Sequence, residues 1–238
     1  MTTPFNATIP ALWDAEISGI AEVAAHDPDC MISIEYKLNE PRSCSVLPDA
    51  ATTLLAIAQG GAKKPWRDHR LCPFALYQRN PAYAAAHIMR QSKLLGTQMN
   101  DSYAKRDDGL MVASVHEQTT LELSRQVKRG GFDSAICSDT FPDASGLDPG
   151  AECTANIRTV RRMLGVVARM EGDVRLSDAP ARQDPVVAQE IARQASAEAT
   201  GLVAVWCRSF DSVMCSKGDG LWAQSGRMIF ARMRCGSR

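Results

Sequence analysis

Apolar positions recur at helical spacing in several stretches of the chain and at strand-like density in others. From Ile9 to Ala25, Leu12, Ile17, Ile20 and Val23 share one helical face, which predicts an amphipathic helix turned toward a core. Met31 to Tyr36 predicts a buried strand. Asp49 is placed to cap a helix running from Ala50 to about Gln59 and closed by Gly60-Gly61. Asn80-Pro81 opens a further helix, Ala82 to about Lys93, with proline at the favoured first position. Leu94 to Met99 is strand-like, Thr119 to Lys128 helical, and Gly130-Gly131 break that helix before a strand from Phe132 to Cys137. Glu152 to Met170 predicts a long helix with Ile157, Val160, Met163, Leu164 and Val167 on one side. Strands separated by helices predict right-handed βαβ units and a parallel sheet, an α/β fold.

Composition narrows the class. The 238 residues are 45% hydrophobic, enough for one sizeable core or two small ones. The formal net charge is zero, which favours neither nucleic acid nor an anionic membrane as a partner. No apolar run approaches the ~18 residues of a membrane span. The N-terminus has neither the basic region nor the apolar stretch of a signal peptide, so a cytoplasmic location is expected. Eight cysteines occur without a Cys-x-x-Cys pair, which points to reduced thiols rather than a disulfide framework or zinc ribbon. Cys137, in an apolar run, is expected to be a small core residue.

Chemistry is suggested where the predicted strands end. In Ile32-Ser33-Ile34-Glu35-Tyr36-Lys37, alternation places Glu35 and Lys37 on the same strand face. Asn100-Asp101 follows the second strand, with Lys105-Arg106-Asp107-Asp108-Gly109-Leu110 behind it, and Asp139 follows the third. In parallel α/β proteins the C-terminal strand ends form the active-site face. Oxygen ligands from separate strand ends are what a hard divalent cation requires. Each group alone has a plainer reading as a strand running out into a solvated loop.

Four motifs together resemble the xylose-isomerase-like TIM barrels, and within them the L-rhamnose-isomerase-like sugar isomerases. They are Glu-Tyr-Lys-x-x-Glu-Pro-Arg from Glu35, Asn-Pro-Ala-Tyr from Asn80, Asn-Asp-x-Tyr-x-Lys-Arg-Asp-Asp-Gly-Leu-Met-Val-x-Ser-Val-His from Asn100, and Asp-Thr-Phe-Pro from Asp139. The resemblance runs over roughly residues 10 to 192. It implies a partial (β/α)₈ barrel, about strands five to eight with their helices, where a complete barrel has ~250 residues. Residues 1–195 would form this half barrel. Residues 196–238 have no family counterpart and are expected to be an irregular, poorly ordered tail.

The resemblance also implies roles. Glu35 matches an acid bridging two metal ions, Lys37 a lysine near the substrate oxygens, and Asp107 a catalytic-metal ligand, with Asp108 beside it. Asp139 matches the last carboxylate of a structural metal. Such enzymes interconvert aldoses and ketoses with divalent Mn²⁺, Mg²⁺ or Co²⁺, one ion acting as a Lewis acid on the hydroxyl and carbonyl oxygens. The implied partner is a small-molecule sugar. A half barrel with open edges is further expected to associate, with a second copy or a complementing half-barrel chain. A sugar epimerase is a less favoured reading. So is a barrel endonuclease, which predicts a basic DNA-binding face that the net charge argues against.

Two departures predict impairment. The family carries a histidine before Asn-Asp, whereas this chain has Gln98, whose carbonyl oxygen would replace an imidazole nitrogen as metal ligand. After Gly60 the family has a strand of the type Gly-Val-Thr-Ile-Asp-Phe-Ala-His, with two metal ligands. Here Trp66-Arg67-Asp68-His69-Arg70-Leu71-Cys72-Pro73 is too charged for a buried barrel strand. Codons exist for Trp66 to Phe74 that, read one base later, spell the family strand, so a local frame shift is the expected cause. Asp68 and His69 are then an apparent metal pair only, flanked by arginines that repel a cation. His116 is expected to position a loop, His87 to lie on the surface, and His26 to suit the C-terminal end of its helix. The sequence therefore predicts a sugar isomerase by descent with little activity as it stands, or a non-catalytic remnant.

Overall fold

Helices dominate. The computed structural model describes residues 10–26, 31–38, 45–63, 70–71, 80–103, 107–141, 146, 148–200, 213–215 and 229–232. Two compact units are formed: Met1–Gln98 with Tyr103–Asp107 and Lys217–Arg238, and Met99–Ser102 with Asp108–Ser216. The result is α/β, mostly helical, with short strands.

In the first unit, α1 (Pro10–His26) buries Ile17, and its Trp13 donates through Nε1 to Gln59 Oε1 at 2.6 Å on α2 (Ala50–Lys63). Val23, expected on the core face of α1, is exposed instead. Asp49 caps α2 as its position predicts, its Oδ1 accepting the Thr52 N–H at 2.8 Å. The helix does not stop at Gly60-Gly61 but continues to Lys63. Two glycines cost about 2 kcal/mol of helix propensity, and packing of a face that buries Ala56, Thr53 and Gly60 offsets it. In α3 (Pro81–Gln91), Asn80 Oδ1 accepts the Tyr83 N–H at 2.9 Å and Pro81 takes the first turn. Ala85 and Ile88 are its most deeply buried residues, while His87 lies exposed with its ring edge-on to Tyr83.

The strands correct part of the expected topology. β1 (Met31–Ile34) pairs antiparallel with β7 (Ile229–Arg232), a segment of the tail, rather than parallel with a neighbouring βα unit. β2 (Arg70–Leu71) and β3 (Lys93–Leu94) do pair parallel. The segment judged too charged for a buried strand thus contributes a two-residue strand. A break at Leu95 separates β3 from β4 (Gly96–Met99), where the sequence suggests one continuous strand.

In the second unit, α4 (Glu117–Arg129) ends at Gly130, and β5 (Ala135–Ser138) pairs parallel with β6 (Val213–Cys215). α5 (Pro149–Gly172) begins ahead of the expected Glu152, because Asp148 caps it and Pro149 fits its first turn. Val160, Met163, Val167 and Met170, at helical spacing, lie in the core. Ile157 and Leu164, expected on the same side, are only partly buried. The core is completed by Leu121 of α4, Leu176 of α6 (Val174–Asp178), and Ile191, Ala192 and Ala195 of α7 (Pro185–Ala197). Arg125–Glu171 at 2.6 Å and Arg162–Glu117 at 2.7 Å tie α4 to α5 across its rim. Cys137, expected in the core, is only partly buried, as is Cys153. No described helix is long and apolar enough to cross a membrane.

Candidate functional site

Just past the end of β1 the chain turns polar at Glu35. Its carboxylate and the ammonium of Lys37, two residues on, lie 3.4 Å apart. The same ammonium donates to Asp107 Oδ2 at 3.0 Å, across a separation of 70 residues. Both carboxylates are almost completely enclosed, with side chains 6% and 1% exposed, whereas the lysine side chain keeps 22%. One ammonium therefore serves two buried acids.

Gln98, in β4 of the same unit, holds its Oε1 buried without a hydrogen-bond partner. Asp108 is exposed. Asp68, His69, Lys105 and Arg106 lie outside the described residues.

Asp139 belongs to the second unit, immediately after β5. Its N–H donates to the carbonyl of Met99 at 3.0 Å, and its own carbonyl accepts from Asn100 Nδ2 at 2.9 Å. Asn100 thus ties two strand ends together through the backbone.

The most saturated group in this unit is Asp101, whose side chain is fully buried. Its Oδ1 accepts the Ser102 N–H at 2.8 Å and faces His116 Nδ1 at 2.8 Å. Its Oδ2 accepts the N–H groups of Val115 at 2.8 Å and His116 at 2.7 Å. Burial alone would raise the carboxyl pKa, but the His116 backbone and ring, Val115 and Ser102 outweigh it and hold it below the usual carboxylate range. An ionised carboxylate only accepts, so Nδ1 carries the hydrogen. His116 precedes α4 without capping it by its own side chain. Asp101 supplies from a distant position the negative charge favoured at that helix start. The expectation that His116 positions a loop agrees with its two bonds to Asp101.

Sequence reasoning missed Asn156, 1% exposed on α5. Its Oδ1 accepts the Val112 N–H at 3.0 Å and its Nδ2 reaches Thr140 Oγ1 at 3.5 Å. The available signal was a polar residue on the same helical stripe as Val160, Met163 and Val167.

In the first unit, Glu35, Asp107 and Gln98 offer oxygen donors suited to a hard divalent cation. Among the described residues they are not joined by the further ligands that the two-ion centre implied by the resemblance calls for. The Lys37 ammonium engages both carboxylates, and no group of three or more His, Cys, Asp or Glu side chains able to hold a metal comes together among the described residues. In comparisons with known proteins, no family model matches this chain and no curated protein is significantly similar to it.

Proposed function

We propose that this chain is by descent a metal-dependent sugar isomerase, of the aldose–ketose interconverting, L-rhamnose-isomerase-like kind, built on part of a xylose-isomerase-like TIM barrel and impaired in its present form. The observation that carries this reading is the meeting of Glu35, Lys37 and Asp107. The motifs nominate these three for the reacting centre, and Asp107 stands far from the others in sequence.

In this reading Lys37 faces the substrate oxygens of a small aldose, and the buried acids hold its amine charged and oriented. The impairment follows from the donor set. Gln98 stands where the family motif has histidine, and the Asp-x-x-His strand has no equivalent in the sequence as written. Without the ligands for two ions, the Lewis-acid assistance on which hydrogen transfer between adjacent carbons depends is weakened or lost.

A specific observation favours a second reading, a non-catalytic remnant or the half-barrel partner of a split enzyme. β1, the strand that presents Glu35, pairs antiparallel with the tail strand β7, whereas a (β/α)₈ barrel is all parallel.

The test is an isomerase assay with L-rhamnose and other aldoses in Mn²⁺, Mg²⁺ or Co²⁺. It should compare the chain as written with a form whose residues 61–74 follow the shifted reading frame. Turnover appearing only in the repaired form, and lost again in its Glu35→Gln variant, supports impaired descent from an isomerase. Inactivity of both forms, with gene codons that cannot encode the family strand, overturns it in favour of the remnant.

A further inference from the structure

The bonds that hold Asp101 also fix the chemistry of the His116 ring. The Asp101 side chain is fully buried and ionised, and its Oδ1 lies 2.8 Å from Nδ1. The ring therefore carries its hydrogen on Nδ1 and keeps the lone pair of Nε2. Among the described residues nothing bonds to Nε2, and the His116 side chain remains 33% exposed. A histidine oriented in this way by a buried carboxylate is a base and nucleophile at Nε2. The carboxylate then stabilises the imidazolium that forms when Nε2 takes an electrophile. Both residues belong to the second unit, which does not include Glu35, Lys37 or Asp107.

The ring's position selects the class of electrophile. His116 opens α4 with no side-chain cap, so the first-turn N–H groups of Glu117, Gln118 and Thr119 have no acceptor within the helix. Such donors suit the anionic oxygens of a phosphoryl group and offer little to a neutral acyl group.

We propose that His116 is a phosphoryl-acceptor site, its Nε2 taking the phosphoryl group of a small donor of the phosphoramidate class. The Nε2 lone pair forms the new N–P bond as the P–N bond of the protonated donor breaks, and the bonding pair leaves with neutral ammonia. The ring keeps its Nδ1 hydrogen throughout and becomes an imidazolium, whose charge Asp101 balances.

The test treats the folded, full-length chain with potassium phosphoramidate near neutral pH. Peptide mass spectrometry follows each of the four histidines, and phosphorus magnetic resonance identifies the nitrogen that is modified. His26 and His87 are more exposed than His116, so exposure alone would make His116 the slower of the three. The expected result is the reverse. His116 should be labelled at Nε2 at least about tenfold faster than either, a small part of the ~10⁴ that the carboxylate contributes in a serine-protease triad.

The advantage should vanish in urea, and a folded Asp101→Asn chain should label His116 no faster than His26 and His87. If Asp101→Asn does not fold, the wild-type rates in native buffer and in urea still measure what the folded dyad contributes. Labelling of His116 no faster than the other two, modification at Nδ1, or an advantage that persists in urea or in folded Asp101→Asn overturns the proposal.

Discussion

Asp101 and His116 are joined twice. The ring Nδ1 of His116 meets Oδ1 of Asp101 at 2.8 Å, and the backbone N–H of the same residue donates to Oδ2 at 2.7 Å. With Ser102 and Val115 also donating, each carboxylate oxygen has two partners. The charge is buried but fully compensated, and it pins the loop between Leu110 and α4 to the end of β4. Reciprocal backbone bonds of 2.9 Å between Asp101 and Leu110 close the same loop from its other side.

Asp101→Asn should therefore be among the most damaging near-isosteric changes in the second unit. An amide carries donors where backbone N–H groups already point, and it removes the charge from every remaining bond. A loss of about 3 kcal/mol is expected. Urea unfolding should show a lower midpoint with an unchanged slope. An unaltered midpoint would mean that the loop is held by other contacts.

The depressed Asp101 pKa fixes the sign of a pH dependence. In the unfolded chain this carboxyl protonates at its ordinary value, and in the folded chain only at a lower pH. Between the two, the unfolded state binds more protons, so stability rises with pH. The contribution of Asp101 is fully present above the ordinary carboxyl range and is lost as pH falls through the lower, folded value. Wild type minus Asp101→Asn, compared by urea unfolding at neutral pH and near pH 3, should shrink on acidification. A difference that stays constant would contradict the assignment.

Gly109 has φ +60 and lies directly against the ring of Phe141, whose N–H donates to the Gly109 carbonyl at 3.0 Å. A Cβ at this position would overlap the ring, and the left-handed backbone adds its own penalty. Gly109→Ala should cost about 2–4 kcal/mol, from roughly 1 kcal/mol of backbone strain and the remainder from overpacking. Phe141→Ala should relieve the ring part of the overlap while its own Cβ remains close, so a double-mutant cycle should show a partial favourable coupling. Purely additive losses would mean that the Phe141 ring contributes none of the cost.

Met163, 1% exposed on α5, packs in the core with Val166, Val167 and Ile191. Met163→Ala should destabilise the second unit by about 2–5 kcal/mol, through lost transfer energy and the cavity left behind. By contrast, Val186→Ser, at a position 63% exposed, should change stability by no more than about 0.5 kcal/mol. Thermal unfolding of the two variants should separate them clearly, and similar shifts would mean that the α5 stripe is not the core.

What the sequence determined by itself is local. Asn80-Pro81 and Asp49 mark helix starts because a cap needs only a side-chain oxygen and the next turn's N–H groups. The stripe of Val160, Met163 and Val167 specifies which side of α5 is buried because helical period converts spacing into a face. Glu35 and Lys37 stand only two residues apart just past β1, so their contact at 3.4 Å is local. Each of these interactions closes within a few residues, so neighbouring amino acids suffice to specify it.

Only the tertiary structure decided the rest. Gly60-Gly61 read as a helix stop, yet burial of the α2 face outweighs the entropy of two glycines. β1 read as one strand of a parallel series, yet its partner is β7, close to the other end of the chain. Asp107 read as one of two adjacent acids, and only long-range closure sets it, rather than Asp108, against Lys37. The physical reason is common to all three. A contact across many residues must exceed the entropy of closing the intervening chain, and the surplus comes from burial and charge compensation contributed by distant segments at once. No local window of sequence holds both sides of that balance.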